Sequence, residues 1–234
     1  MLFRKKPIVN AVDFHCHLLP KADHGSDSLE TSAAQLKNLA AVGVTTIVAT
    51  PHFYPEQDTV PEFLARRKAA YEELMSLHPA QEIVPAAEVA MNLDLPAMPE
   101  LEKLCIGETN YILLEMPRER WTRWVFEGVY TVRRRGLQPI LAHIDRYDIS
   151  DVNEMLRQGV VAQVNGTAFD TAAGKRRYRQ LFAEDAAQLL GSDTHGQSTE
   201  PEAFRDAIRY LGPLGENAMQ NARAILAGKR YYER

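Results

Sequence analysis

The chain has 234 residues, 45% of them hydrophobic and 25% charged, which is enough apolar material for one sizeable core. A formal net charge of -4 argues against a general nucleic-acid binder, whose phosphate contacts need a basic surface. Two cysteines, Cys16 and Cys105, make no disulfide framework and fit a reducing cytoplasm. No apolar run approaches the roughly 20 residues of a transmembrane segment. Residues 1–6 are basic, but no apolar segment follows as a secretory signal requires, so residues 1–9 read as a short solvated tail. Residues 10–234 then read as a single domain, with no linker or composition shift inside it.

The pattern along the chain is strand then helix, repeated. An apolar run from Ile8 to Val12, broken only by Asn10, predicts a buried strand over 9–14. Asp27 and Glu30 resemble a capping box ahead of Leu29, Ala33, Leu36 and Leu39, and Gly43 stops that helix. A strand over 45–50 follows, then a helix with Phe63, Ala70, Leu74 and Leu77 on one face. The next strand is 82–87. Residues 93–104, with Pro96 and Pro99, form an excursion before a strand over 111–115. Val125, Val129 and Val132 mark a helix ended by Gly136, and a strand over 139–143 comes next. Met155 and Leu156 lead to a stop at Gly159, followed by a strand over 160–164. Leu181 and Ala187 sit in a further helix before the last strand, 189–192. Phe204, Ala207, Ile208 and Leu211 mark the next helix, and 218–227 a closing one.

Short, continuous apolar runs suit parallel strands buried on both faces. About seven such βα units predict an α/β barrel-like domain. A doubly wound open sheet is the alternative, weakened because no Gly-rich nucleotide loop follows any strand.

Barrel enzymes carry their sites at the C-terminal ends of the strands. The first strand runs into His15-Cys16-His17, whose two imidazoles point the same way because side chains alternate. The second runs into Thr50-Pro51-His52, the third into Glu88 and the fourth into Glu115. The fifth ends His143-Ile144-Asp145-Arg146, the sixth Gln163-Val164-Asn165, and the seventh Ser192-Asp193-Thr194-His195. Of seven histidines, five lie at these ends, His24 is in the first loop, and only His78 lies elsewhere, at a helix terminus. Imidazole and carboxylate together suit divalent first-row metals. About nine candidates are too many for one ion, and two or three bridged ions are the natural reading. Glu88 and Glu115 would be costly to bury unpaired, and bridging cations remove that cost.

His15-Cys16-His17, Asp23-His24-Gly25, Ala49-Thr50-Pro51-His52, Ala87-Glu88, Leu114-Glu115, Ala142-His143-Ile144-Asp145-Arg146-Tyr147 and Ser192-Asp193-Thr194-His195 occur in this order. Together they resemble the PHP (polymerase and histidinol phosphatase) family, closest to the metal-dependent tyrosine phosphatases of bacterial capsule and exopolysaccharide loci. The resemblance covers roughly residues 10–225. It implies a distorted (β/α)7 TIM-like barrel with a trinuclear centre, often of manganese, with iron, zinc or magnesium as alternatives. His15, His17, His52, Glu88, Glu115, His143, Asp193 and His195 match the family's ligand positions. His24 stands where these relatives usually carry aspartate, and it is expected to coordinate still, with an altered metal preference or a weakened site. Arg146 matches an arginine that holds the substrate phosphate. A further arginine that many relatives carry after the last histidine is missing here, where Gly196-Gln197-Ser198-Thr199 follows.

The implied activity is hydrolysis of phosphotyrosine on a bacterial tyrosine kinase that controls polysaccharide export, in the cytoplasm, with the oligomeric state left open. A small-molecule phosphoesterase, such as a histidinol-phosphate phosphatase, is the alternative enzyme. A metal-stabilised, non-catalytic interaction module is the third reading, and the complete ligand set argues against it. Cysteine-dependent phosphatases place an arginine six positions after the nucleophile. Here those positions hold Ala22 and Tyr111, so Cys16 reads as buried filler. Trp121 and Trp124, interleaved with Arg118, Arg120 and Arg123, read as a solvated helix start with core tryptophans. The sharper alternative is a rim that stacks on an aromatic substrate. The basic run 175–179 reads as a solvated helix face.

Overall fold

A computed structural model describes residues 8–196 and 201–230. The basic segment 1–6 and Gln197, Ser198 and Thr199 lie outside the described residues. The short apolar runs fold as β1 (Ala11–His17), β2 (Val44–Ala49), β3 (His52–Phe53), β4 (Glu82–Pro85) and β5 (Glu88–Ala90). They continue as β6 (Tyr111–Glu115), β7 (Gln138–Leu141), β8 (Val161–Asn165), β9 (Leu189–Gly191) and β10 (Thr194–His195). The helices between and after them are α1 (Leu29–Val42), α2 (Val60–Met75), α3 (Arg123–Arg134), α4 (Ile149–Leu156), α5 (Ala172–Ala183), α6 (Glu202–Leu211) and α7 (Pro213–Leu226).

The strand pairs are all parallel, in the orders β10-β1-β2-β4 and β3-β5-β6-β7-β8-β9. Three staves are interrupted strands. β2 and β3 break at Thr50-Pro51, β4 and β5 at Ala86-Ala87, and β9 and β10 at Ser192-Asp193. Ten strands less three such joins leave seven staves. Backbone bonds carry the sheet across the breaks: the Ala86 amide donates to Ala49 O at 2.9 Å, the Glu88 amide to Pro51 O at 3.1 Å, and the Asp193 amide to His15 O at 2.8 Å. The pairing of β10 with β1 closes the ring, so the fold is the distorted (β/α)7 barrel and not the open doubly wound sheet.

Phe14, Phe53, Phe63 and Phe204 are among the largest fully buried side chains. They pack between the staves and the helical layer as expected for sheets covered on their outer face. Among the described residues no helix is long and apolar enough to cross a membrane.

Several local expectations need correction. The first strand begins at Ala11, not at 9, because Asn10 takes a left-handed backbone (φ 52°) and Val9 is exposed; it runs on to His17. The cap of α1 is Ser28, which accepts the Thr31 amide, and Asp27 instead accepts the Thr31 hydroxyl. Leu77 lies beyond the end of α2 and is exposed, and Ala187 lies beyond α5. Trp121 is buried in the loop before α3, as the bland reading expected, and Trp124 packs against the core.

Gly43 ends α1 as predicted, at φ 100°, and a Cβ there would come within 1.9 Å of the Ile8 carbonyl oxygen. Both the positive φ and the close approach demand glycine. Gly43→Ala is expected to cost about 1–3 kcal/mol of stability, measured by urea unfolding. An unchanged midpoint would contradict the close approach.

Candidate metal centre

Three carboxylates and five imidazoles from the C-terminal ends of the staves face one another. Glu88, at the start of β5, is 1% exposed. Its Oε2 lies 3.0 Å from His15 Nε2, 3.1 Å from His17 Nε2 and 3.2 Å from His52 Nδ1. Its Oε1 lies 2.6 Å from His143 Nε2. Asp193 Oδ1 adds contacts of 3.6 Å to His15 Nε2 and 3.4 Å to His17 Nε2. Glu115 reaches His52 at 3.7 Å and His143 at 3.9 Å. The His195 ring stacks on His17 with centroids 3.9 Å apart.

Alternation along β1 aims His15 and His17 together, with Nε2 atoms 3.1 Å apart. The register Cys16 with Thr194 and His17 with His195 brings the last stave against the first. Cys16 is fully buried, and burial pushes its thiol well up, so it is the inert filler expected.

A second partner orients each inner histidine, and most of these partners were not singled out from the sequence. His17 Nδ1 lies 2.6 Å from Asp23 Oδ2, which also accepts the His52 amide at 2.9 Å. Gln163 Oε1 faces His15 Nδ1 at 3.2 Å and accepts the His143 amide at 2.7 Å. Neutral His15 therefore carries its proton on Nδ1 and leaves the Nε2 lone pair toward the centre. The Gln163 amide donates to Asn165 Oδ1 at 2.9 Å, and Asn165 Nδ2 donates to Asp193 at 2.9 Å. The Tyr147 hydroxyl lies 3.1 Å from His143 Nδ1. Asp13 accepts the Ser192 amide at 2.7 Å and its hydroxyl at 2.5 Å, tying the first stave to the last; burial lifts its pKa to about 6. The available signals were the Asp23 in Asp23-His24-Gly25 and the polar pair Gln163 and Asn165 inside an apolar strand. Gly191 is required where it stands, since a Cβ would meet His15 Cβ at 2.6 Å and Gln163 Nε2 at 2.8 Å.

The donor set fits divalent cations. Three groups each place their ligand atoms within 4.8 Å: His17, His52 and His195; His15, His17 and Glu88; and His52, Glu88 and Glu115. His52 Nδ1 and Asp193 Oδ1 are buried without a hydrogen-bond partner, a costly condition that a cation relieves. Burial pushes His52 down to about 3 and lowers His195 too, so both present lone pairs at neutral pH. Burial would raise Glu88, but the charges of His15 and hydrogen bonds from His143, His15 and His17 hold it well below the usual range. Glu115 is raised, by burial and by the neighbouring Glu88.

His24 is exposed at the outer edge, stacked on His52 with ring centroids 4.7 Å apart, and stands in none of the three close groups. Arg146 ion-pairs with Asp193. Glu88 meets histidines rather than an arginine.

A seven-staved parallel barrel with a histidine–carboxylate cluster at the C-terminal rim defines a class of metallohydrolase-like folds. A family profile described as capsular polysaccharide synthesis, CpsB/CapC, matches residues 11–226, and the chain belongs to that family. Tyrosine-protein phosphatase CpsB of Streptococcus pneumoniae is 27% identical over 222 residues, covering 86% of this chain and 89% of that protein. Tyrosine-protein phosphatase YwqE of Bacillus subtilis is 27% identical over 220 residues, covering 86% and 83%. A chain from the crystal structures of YwqE and CpsB, described as unique metal-dependent tyrosine phosphatases, superposes with a TM-score of 0.80 at 20% identity, over 93% of this chain and 95% of that one. A TatD-family hydrolase from Entamoeba histolytica shares the fold more distantly, with a TM-score of 0.56 at 9% identity over 94% and 99%.

Asp23→Asn keeps the shape of the side chain but removes the anion behind His17. It is expected to weaken divalent-metal affinity about 10–100-fold, measured by metal titration with unchanged far-UV circular dichroism. Affinity within twofold of the parent would show that Asp23 does not tune the centre.

Proposed function

We propose that this protein is a metal-dependent phosphatase that hydrolyses phosphotyrosine on a protein substrate, a bacterial tyrosine kinase of polysaccharide export. The observation that carries this is the convergence of buried imidazoles and carboxylates on Glu88, beside Arg146, in a CpsB/CapC chain. His15, His17, His52, Glu88, Glu115, His143, Asp193 and His195 are the proposed ligands, with His24 reaching in from the outer edge. Two or three ions, manganese first, suit this mixture of nitrogen and oxygen donors. Two free, buried cysteines favour a cytoplasmic setting. Residues 10–234 are proposed to act as one domain.

When bound, the ions supply Lewis acidity and bring a water's pKa toward neutrality. The chain's own groups supply orientation. Asp23, Gln163 and Tyr147 hold the inner imidazoles in fixed rotations, so the donors need no rearrangement during reaction. Arg146 is about one-third exposed, so its guanidinium can present two parallel donors to phosphoryl oxygens. In the overall reaction a water oxygen joins phosphorus as the bond to the tyrosyl oxygen breaks. The phenolate leaves and takes up a proton; with a phenol pKa of about 10 it needs little assistance.

Excess chelator is expected to abolish hydrolysis of a phosphotyrosine peptide, and manganese to restore it. Full activity in chelator would sink the mechanism. Efficient turnover of histidinol phosphate but not of the peptide would replace the proposed substrate. Arg146→Ala is expected to lower kcat on the order of 100-fold while metal content stays at the parent level.

A further inference from the structure

Arg146, Arg66, Arg120 and Arg123, on segments that follow the staves, each already carry an ion pair. Arg146 pairs with Asp193. Arg66 forks onto Asp58 at 2.8 and 2.7 Å and donates to Ala22 O at 2.9 Å. Arg120 reaches Asp148 at 2.9 Å and Asp151 at 3.1 Å. Arg123 reaches Glu127 at 2.6 Å. Arg118 is exposed and has no hydrogen-bond or ion-pair partner among the described residues.

Its loop is tied to the centre. Arg118 stands three residues past Glu115, and the intervening Met116 amide donates at 2.9 Å to the Tyr147 hydroxyl that contacts His143. On the far side, Pro117 O accepts the Trp121 indole N–H at 2.9 Å, and the Trp121 amide is held by Asp151 at 2.9 Å. The loop is therefore braced while, of its two arginines, Arg120 is paired and Arg118 has no such partner.

Tyr54 stands over the same face. Its ring stacks on His52 with centroids 5.2 Å apart and an interplanar angle of 19°. It lines a cavity of about 370 Å³ with His24, His52 and Asp23. Its hydroxyl has no partner among the described residues. The ring that Tyr54 stacks on, His52, lies 3.7 Å from Glu115, the residue three before Arg118, so Tyr54 and the Arg118 loop flank the same part of the centre.

We propose that Arg118 and Tyr54 form the substrate-side half of the site. Arg118 binds phosphoryl oxygens of the incoming aryl phosphate, and the Tyr54 ring is the wall against which the substrate's ring packs. An unpaired guanidinium gains a two-pronged contact with a phosphate dianion without breaking an existing ion pair. A tyrosine ring offers a rigid aromatic face at little cost in conformational freedom. The Tyr54 part rests on the phosphotyrosine reading; the Arg118 part requires only a phosphate.

The test uses metal-loaded full-length protein and two readouts, the Kd of inorganic phosphate by calorimetry and kcat and KM on a phosphotyrosine peptide. Arg118→Ala is expected to weaken phosphate binding about tenfold or more and to raise KM with metal content unchanged. Arg118→Lys should recover part of the loss. Tyr54→Leu should raise the peptide KM several-fold yet leave the phosphate Kd unchanged. Arg123→Ala, whose side chain is paired away, should move neither quantity. A phosphate Kd within twofold of the parent in Arg118→Ala, or loss of metal from it, overturns the assignment of Arg118. Equal weakening of phosphate and peptide in Tyr54→Leu overturns the wall. If the parent binds phosphate but leaves the peptide intact, the phosphotyrosine reading and the Tyr54 wall fall together, while the phosphate Kd still decides Arg118.

Discussion

Glu88 is a carboxylate with almost no solvent, surrounded by four imidazoles from three other staves. A buried charge without a partner costs several kcal/mol, so the site must hold positive charge in some form. Positive charge is favoured on His15 and His17: against burial, the fields of Glu88 and Asp193 raise His15, and hydrogen bonds with Asp193, Asp23 and Glu88 raise His17. A divalent cation provides it better, because it can be shared among all the donors at once. The cluster therefore binds protons and metal competitively through the same nitrogen atoms.

The barrel is broken where these donors are needed. Regular strands would point alternate side chains inward at a fixed spacing. Each interruption holds or leads into a donor: Thr50-Pro51 leads into His52, Ala86-Ala87 into Glu88, and Ser192-Asp193 contains Asp193 itself, with His195 two residues on. Pro51 has no amide to offer a ladder, which makes the first break intrinsic to the sequence. His143 at φ 29° and Asp193 at φ 53° lie outside the ordinary backbone regions, at a cost of about 1–3 kcal/mol each. Gln163 holds the His143 amide and His15 O holds the Asp193 amide, so the strain is pinned by hydrogen bonds at the cluster's own donors.

Much of this was legible from residue order. Short apolar runs ending in His, Glu or Asp marked the staves, and every predicted strand from 45–50 onward overlaps an observed one. The five strand-end histidines and both glutamates proved to share one cluster because a closed parallel barrel leaves its C-terminal ends only one place to meet. The supporting groups were harder to see. Asp23, Gln163 and Asp13 act through partners up to 179 positions away, such as Ser192 on Asp13, and pattern within a strand carries no record of such pairings. The misplaced cap at Asp27 is a local case: adjacent Asp27 and Ser28 can both cap, and the Ser28 hydroxyl reached the Thr31 amide. His24 was read from motif position alone, and the structure places it exposed at the outer edge, its ring stacked on His52.

Rigidity falls from the inside of the cluster to the outside. His15, His17 and His143 are fully buried, and each has a second partner behind its ring. Glu115, His195 and His24 are progressively more open, with side-chain exposures of 18% and 24% for the first two. Fixed inner donors would need no reorganisation to hold a cation, whereas the outer donors stand open to solvent. Arg146 sits on this boundary. Its bond to Asp193 uses the carboxylate oxygen that Asn165 also holds, Oδ2, and leaves Oδ1 directed at His15 and His17. Arg146 therefore orients the Asp193 carboxylate while keeping its own guanidinium at the solvent edge.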